Sequence, residues 1–229
     1  MVALMRSSEL LTNKLFAITI AWLISVAAIV PIAAQDAGKL AGKNVSIAQV
    51  TYEGRSAVQV MAKPEGANGS SYALVKDASF RDGVIEVDLA GKPAAGASAG
   101  ARGFIGIAFR IQPDDHYEYI YLRPTNGRAD DQVRRNHSTQ YASNPDFDFD
   151  RFRKESPEKY ESYVDLQTGV WTKYKIEVED RKARLYVNGA DQPCLIVNDL
   201  KLEPRDGGVA LWVGPGTEGY FSNLKITRK

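Results

Sequence analysis

The chain has 229 residues, with 29 Lys and Arg against 28 Asp and Glu, two histidines and a single cysteine. One cysteine excludes a disulfide scaffold, and so few Cys and His exclude a zinc ribbon. A near-neutral chain without a basic run excludes nucleic acid as a partner held by charge.

Residues 1–14 carry Arg6 and Lys14, and residues 15–34 (LFAITIAWLISVAAIVPIAA) hold no charge and end in Pro31 and small residues. That order predicts a secretory signal peptide cut after Ala34. The protein is then exported: periplasmic, secreted or at the cell surface. Left uncut, the 20-residue run is long enough to anchor the chain, and only then is a membrane a partner. Removal leaves 195 residues with 27 basic and 27 acidic side chains. A chain of that size folds as one domain without staples and is expected to be a monomer. Its balanced charge fits an uncharged ligand held by aromatic rings. Residues 35–44 are expected to form a flexible leader.

From Val45 onward, short runs with period-two alternation are broken by Gly, Pro, Asn and Asp. The runs 45–52, 56–62, 71–76, 80–89, 103–111, 117–123, 132–139, 171–179, 182–187, 194–200, 208–213 and 220–227 read as strands. The helical content expected is one turn near 157–163. This is an all-β pattern, a two-sheet antiparallel sandwich or a barrel. The Gly/Ala-rich residues 91–103 are expected to be a flexible loop, and residues 124–170 a long insertion, functional or poorly ordered.

The runs on either side of Gln112-Pro113-Asp114-Asp115 form a hairpin. Centring the turn on Pro113-Asp114 pairs Ile105 with Leu122, Ile107 with Ile120 and Phe109 with Glu118 on an apolar face. The other face pairs Gly106 with Tyr121, Ala108 with Tyr119 and Arg110 with Tyr117, and Arg123 extends it. A one-residue slip would reverse every side chain, so the apolar face is the core. Three tyrosines then lie opposite small residues on an outward face flanked by arginines. A ring with an apolar plate and a polar tip suits a sugar, whose C–H face stacks while its hydroxyls bond. In this register Glu118 points to the apolar side. A bulge near 114–117 would instead bring it beside Arg110 on the open face, as a candidate acid.

Asn126, Arg128 and His137 lie in the 124–170 insertion and are expected to help from above the sheet. His137, near Asp130, Asp131, Arg134 and Arg135, has the neighbours of a general base, or of a ligand to a divalent ion with Glu118 and an aspartate; a surface strand with charge pairs is the plainer reading. Asp146, Asp148 and Asp150 have calcium-loop spacing, but the required glycine is missing and Pro157 stands where the bidentate glutamate belongs, so a solvated loop is expected. No cofactor is expected. Cys194 reads as a small core or edge residue, and Trp171 and Trp212 as stacking platforms or edge covers.

Residues 80–89 (FRDGVIEVDL), 106–110 (GIAFR), 117–118 (YE), 171–178, 185–189 (LYVNG) and 219–226 (GYFSNLKI) follow an order similar to the concanavalin A-like lectin/glucanase jelly rolls. They look most like the laminin G-like modules and the 3-keto-disaccharide hydrolase-like domains. The resemblance implies a jelly-roll sandwich over 45–229, and it leaves lectin, hydrolase and adhesion roles open. Glu86-Val87-Asp88 resembles the start of the acidic strand of laminarinase-type glucanases, but the third acid is missing, so both side chains are expected to decorate the face opposite Ile85, Val87 and Leu89. The leading expectation is carbohydrate recognition by Arg110, Tyr117, Tyr119, Tyr121, Arg123, Asn126 and Arg128. The alternative is a glycoside-cleaving enzyme in which Glu118 and His137 share proton transfer. A third is an adhesion module meeting protein.

Overall fold

Alternating burial places most strands where the period-two runs predict them. The computed structural model describes residues 29–30, 36–63 and 70–229. In chain order the strands are β1 (Ile29–Val30), β2 (Leu40–Lys43), β3 (Val45–Tyr52), β4 (Arg55–Ala62), β5 (Tyr72–Val75), β6 (Gly83–Pro93), β7 (Ile105–Ile111), β8 (Tyr117–Leu122), β9 (Thr139–Asn144), β10 (Glu161–Ser162), β11 (Thr172–Glu179), β12 (Lys182–Val187), β13 (Leu195–Val197), β14 (Gly208–Val213) and β15 (Thr217–Arg228). Two short helices, α1 (Gln132–Asn136) and α2 (Phe149–Glu155), flank β9.

The strands form two antiparallel sheets. One has the order β13-β12-β11-β6-β15-β4-β3, with β1 paired to the end of β15; the other has the order β10-β9-β8-β7-β14-β5-β2. Their inner faces make the core, with Ile85, Val87 and Leu89 of β6 facing Ile105, Ile107 and Ile120 of the second sheet, all at most 3% exposed. Glu86 and Asp88 point outward as expected. Glu86 lies 3.3 Å from Lys225, and Asp88 accepts from Asn223 at 2.7 Å. The fold is a two-sheet antiparallel β-sandwich of the jelly-roll type.

Several local expectations give way. The leader is not wholly loose: Leu40–Lys43 adds an edge strand to β5, and Leu40 is buried. Residues 1–34, expected to be a signal peptide, lie outside the described residues except Ile29–Val30. The strand expected at 132–139 is a helical turn followed by β9. Asp131 caps α1 by accepting from the Arg134 amide at 3.0 Å, a local bond that competes with extended backbone. Asp148 likewise caps α2 through the Arg151 amide at 2.9 Å. The spaced aspartates therefore start a helix, which lies upstream of the turn expected at 157–163. Among the described residues no three His, Cys, Asp or Glu side chains gather to hold a metal ion, and no helix is long and apolar enough to cross a membrane. Cys194 is half-buried and packs against the core, with its thiol pushed up to about 11 by burial.

Candidate functional site

The β7–β8 hairpin has the predicted register: Ile105 opposite Leu122, Gly106 opposite Tyr121, Ile107 opposite Ile120, Ala108 opposite Tyr119 and Phe109 opposite Glu118. Pairing continues across the whole sheet. One row runs Lys43, Tyr72, Trp212, Gly106, Tyr121, Gln140, Glu161. The row two residues along runs Ala41, Leu74, Ala210, Ala108, Tyr119, Ala142. Side chains two apart on a strand share a face, so large rings stand among Gly106, Ala108, Ala210 and Ala142 on the face turned away from the core.

These rings pack on one another. Tyr119 stacks on Tyr121 with centroids 5.6 Å apart, and Trp212 lies 5.0 Å from Tyr119 and 4.9 Å from Tyr121. Tyr117 lies 5.3 Å from Tyr119 and 5.7 Å from Tyr72, and Phe104 is 6.1 Å from Tyr121. The space above the small residues is thus partly filled by Trp212. Tyr117 and Tyr121 are buried and Tyr119 is half-buried, so the face is a continuous aromatic plate rather than three free tyrosines. Its Tyr117 end is pinned: Tyr117 donates to Ser70 at 2.8 Å, while Ser70 and Tyr72 donate to Asp115 at 2.7 and 2.9 Å. Burial pushes the Tyr117 hydroxyl up to about 12.

Gly106 allows the hairpin strands to close. A Cβ there would fall 2.1 Å from the Ile120 carbonyl oxygen and 2.6 Å from the Tyr121 Cα. Backbone cannot move aside cheaply, so Gly106→Ala is expected to lower stability by about 1–3 kcal/mol, the usual cost of overpacking. A fall in the urea midpoint with an unchanged slope measures it.

At the other end of the plate the chemistry turns cationic. Arg123 is 4% exposed. It donates to Glu161 at 2.8 Å, the Tyr121 hydroxyl at 2.9 Å, the Gln140 side chain at 3.0 Å and the His137 carbonyl at 3.1 Å. Arg153 binds the same Glu161 carboxylate with two bonds, at 2.9 and 2.6 Å. Burial alone would raise the Glu161 carboxyl, but bonds and charge from Arg153 and Arg123 outweigh it and hold the group below its ordinary value. His137 caps the end of α1, with Nε2 3.6 Å from Glu161. Burial, helped by the charges of Arg153 and Arg123, lowers its pKa against the pull of Glu161. The imidazole is therefore neutral at neutral pH.

A cavity of about 300 Å³ opens here, lined by Arg102, Arg123, Arg134 and Arg153 together with Asn126, His137, Phe104 and Phe149. Arg102 and Phe104 come from the end of the Gly/Ala-rich stretch. That loop is tied to the insertion by the Thr125 amide donating to the Arg102 carbonyl at 3.3 Å. Gly103, at φ +68°, sits so close to β6 that a Cβ would meet the Lys92 backbone at 2.9 Å. Arg134 comes from α1, and Phe149 and Arg153 from α2.

The predicted residues therefore divide. Tyr117, Tyr119 and Tyr121 lie on one face, and Arg123, Asn126 and His137 gather at its end. Arg110 does not join them. The ladder shifts there, with Gly208 opposite Ile111 and Val209 opposite Phe109, so Arg110 is the extra residue of a bulge at φ +56°. The bulge turns its side chain to the core side. It is 1% exposed there and donates to the Arg81 carbonyl, Asp82 and the Asp180 carbonyl at 2.8, 2.9 and 2.7 Å. Glu118 keeps the unshifted register and is fully buried, accepting from the Tyr141 hydroxyl at 2.6 Å and the Leu202 amide at 2.7 Å. Glu118 and His137 thus lie on opposite faces of the sheet and do not form an acid–base pair. Arg128 is exposed and bound to Asp165 by two bonds, at 2.8 and 3.0 Å, outside the cavity lining. Trp171 lies on the other sheet, 5.7 Å edge-on from Tyr52.

Arg102, Arg134, Arg153, Phe104 and Phe149 carry no sequence signal for this site. Arg102 comes from the stretch read as a flexible loop, Phe104 and Arg134 from runs read as strands, and Phe149 and Arg153 from the long insertion. Trp212 alternates out of the core between Leu211 and Val213, and that pattern does mark it.

No protein-family model matches the chain, and no curated protein does. Solved structures do. The chain is similar to the carbohydrate-binding module CBM66 from Bacillus subtilis, with 17% identity over 82% of this chain and 95% of that one and a TM-score of 0.54. It is similar to the cellulose-induced protein Cip1, with 14% identity, 85% and 93% coverage and a TM-score of 0.54. It is also similar to the exoplasmic domain of VIP36 in its Ca2+ and Man3GlcNAc-bound form, with 11% identity, 85% coverage of each chain and a TM-score of 0.51. At such identities the likeness concerns the fold alone.

Proposed function

We propose that this protein is an exported carbohydrate-recognition module that binds glycan on the aromatic face of its second sheet. The observation that carries the reading is the plate of Tyr119, Tyr121 and Trp212, in which Tyr121 and Trp212 are buried and Tyr119 is the half-buried ring that still reaches the surface. A sugar ring laid there stacks its C–H face on the rings. Asn126 stands beside it to bond a hydroxyl. The resemblance in fold to a carbohydrate-binding module and to an exoplasmic domain bound to Man3GlcNAc supports the same reading. Export rests on the charge and hydropathy pattern of residues 1–34. A glycoside-cleaving role through Glu118 and His137 has no assembled pair to support it.

Tyr119→Ala tests the reading. Loss of one stacking ring is worth about 0.5–1.5 kcal/mol beyond its buried area, so glycan affinity of the folded protein is expected to fall at least severalfold, with the thermal midpoint lowered as the contacts to Tyr117, Tyr121 and Trp212 are lost. Arg128→Ala, outside the cavity, is the control and should retain glycan normally. Affinity electrophoresis on a panel of soluble polysaccharides reads both. Equal retention by wild type and Tyr119→Ala on every polysaccharide that binds would refute the sheet-face reading, and failure of the wild type on all of them would favour a protein partner.

A further inference from the structure

We infer that the arginine-lined cavity at the end of the aromatic plate takes the carboxylate of an acidic sugar unit, so that the glycan recognised carries uronic acid. The inference rests on the glycan-binding reading above and names the class of sugar.

Charge segregation comes first. Four arginines line the cavity, and no Asp or Glu does. Glu161, just beneath, is committed to Arg123 and Arg153. Arg102 and Arg134 have no carboxylate partner among the described residues; the Arg102 side chain donates only to the carbonyls of Ala99 and Ala101. Burial, followed by the charges of Arg134 and Arg123, pulls the Arg102 pKa down, as expected where like charges crowd without a counter-ion.

Unused polar atoms point the same way. The Arg134 Nε is buried without an acceptor, and the Asn126 Oδ1 is buried without a donor, although Asn126 Nδ2 is engaged with the His137 carbonyl at 2.9 Å. Native proteins rarely leave such atoms unpaired. Here one needs an acceptor and the other a donor, and a sugar acid offers both: two coplanar carboxylate oxygens for a guanidinium fork and ring hydroxyls for the amide oxygen. Phe104 and Phe149 supply apolar walls, and Phe104 joins the cavity to Tyr121 of the plate. About 300 Å³ is at the small end of ligand pockets, which suits one sugar unit.

The test uses the full chain with oligogalacturonate, a sulfated oligosaccharide and a neutral β-glucan oligosaccharide as probes, plus free glucuronate followed by NMR line broadening. Arg102 and Arg134 are only part-buried, so Arg134→Gln and Arg102→Gln should fold as wild type does. Oligogalacturonate should bind tightest, and each variant should bind it about tenfold or more weakly, the scale of one charge-assisted bond. Affinity for the neutral probe should stay unchanged. Broadening of glucuronate should depend on Arg134 and not on Tyr119. Tighter binding of the sulfated probe than of oligogalacturonate overturns the carboxylate assignment. Retention of the neutral probe alone, unaltered by Arg134→Gln, overturns the inference and leaves the sheet-face reading intact. Glucuronate broadening that persists while no oligosaccharide responds to Tyr119→Ala would keep the cavity and remove the plate.

Discussion

Replacing Arg123 by alanine is expected to lower the thermal midpoint by about 6–20 °C. Arg123 is 4% exposed, and its guanidinium reaches Glu161, Tyr121, Gln140 and the His137 carbonyl. It also lies over the Tyr121 ring, 5.0 Å from its centroid. Breaking a buried pair by removing one partner costs about 3–5 kcal/mol, because the other charge stays buried, and for a chain of this size each kcal/mol moves the midpoint about 2–4 °C. Arg153 still binds Glu161 in the variant, which favours the lower half of that range. Arg123→Lys should recover only part of the loss: an ammonium restores the charge but not the fork that serves several acceptors at once. Differential scanning calorimetry of the three proteins decides it. A midpoint within 2–3 °C of wild type for Arg123→Ala would mean that the network tying β8 to β9, β10 and α1 carries little of the stability.

Glu118→Ala is expected to cost about 2–6 kcal/mol and to leave glycan retention by the folded fraction unchanged. The carboxylate accepts from Tyr141 and Leu202 at full burial, and removing it orphans both donors at about 1–3 kcal/mol each. Burial raises the Glu118 pKa despite the bonds from Tyr141 and Leu202 and the charge of Arg110. A carboxyl raised in the folded state contributes stability that is fully present below its unfolded value, about 4.3, and is lost as pH rises through the folded value. Glu118→Gln removes that loss. Urea midpoints taken from pH 4 to pH 7 should therefore show the Gln variant gaining on wild type as pH rises. A constant difference across that range would mean that Glu118 titrates as it does in the unfolded chain. Loss of glycan retention at wild-type stability would instead return Glu118 to the site.

Much of the fold was legible because period-two alternation is a local property of the chain. Val45–Tyr52, Lys182–Val187 and Gly208–Val213 stand where their runs predict, and the hairpin register follows once Ile105, Ile107, Ile120 and Leu122 must share a face. The misplacements near Asp131 and Asp148 have a local cause too: an aspartate that accepts from the amide three residues on starts a helix where alternation reads as strand or loop.

Arg110 marks where local pattern stops. Alternation puts it with the tyrosines, but a single extra residue opposite β14 turns it through the sheet to Asp82 and Asp180. The bulge depends on a strand almost 100 residues further along, which no hairpin rule reaches.

The sequence by itself determined an all-β chain of alternating strands, the outward tyrosines and a net charge near zero. It suggested a neutral ligand, because composition sums charges without locating them. Only the tertiary structure decided that Arg102, Arg123, Arg134 and Arg153 converge on one cavity while Glu161 turns beneath it. Coulomb interactions depend on separation in space, and positions distant in the chain become neighbours only when β8, α1, α2 and the 94–104 loop close on one end of the sheet.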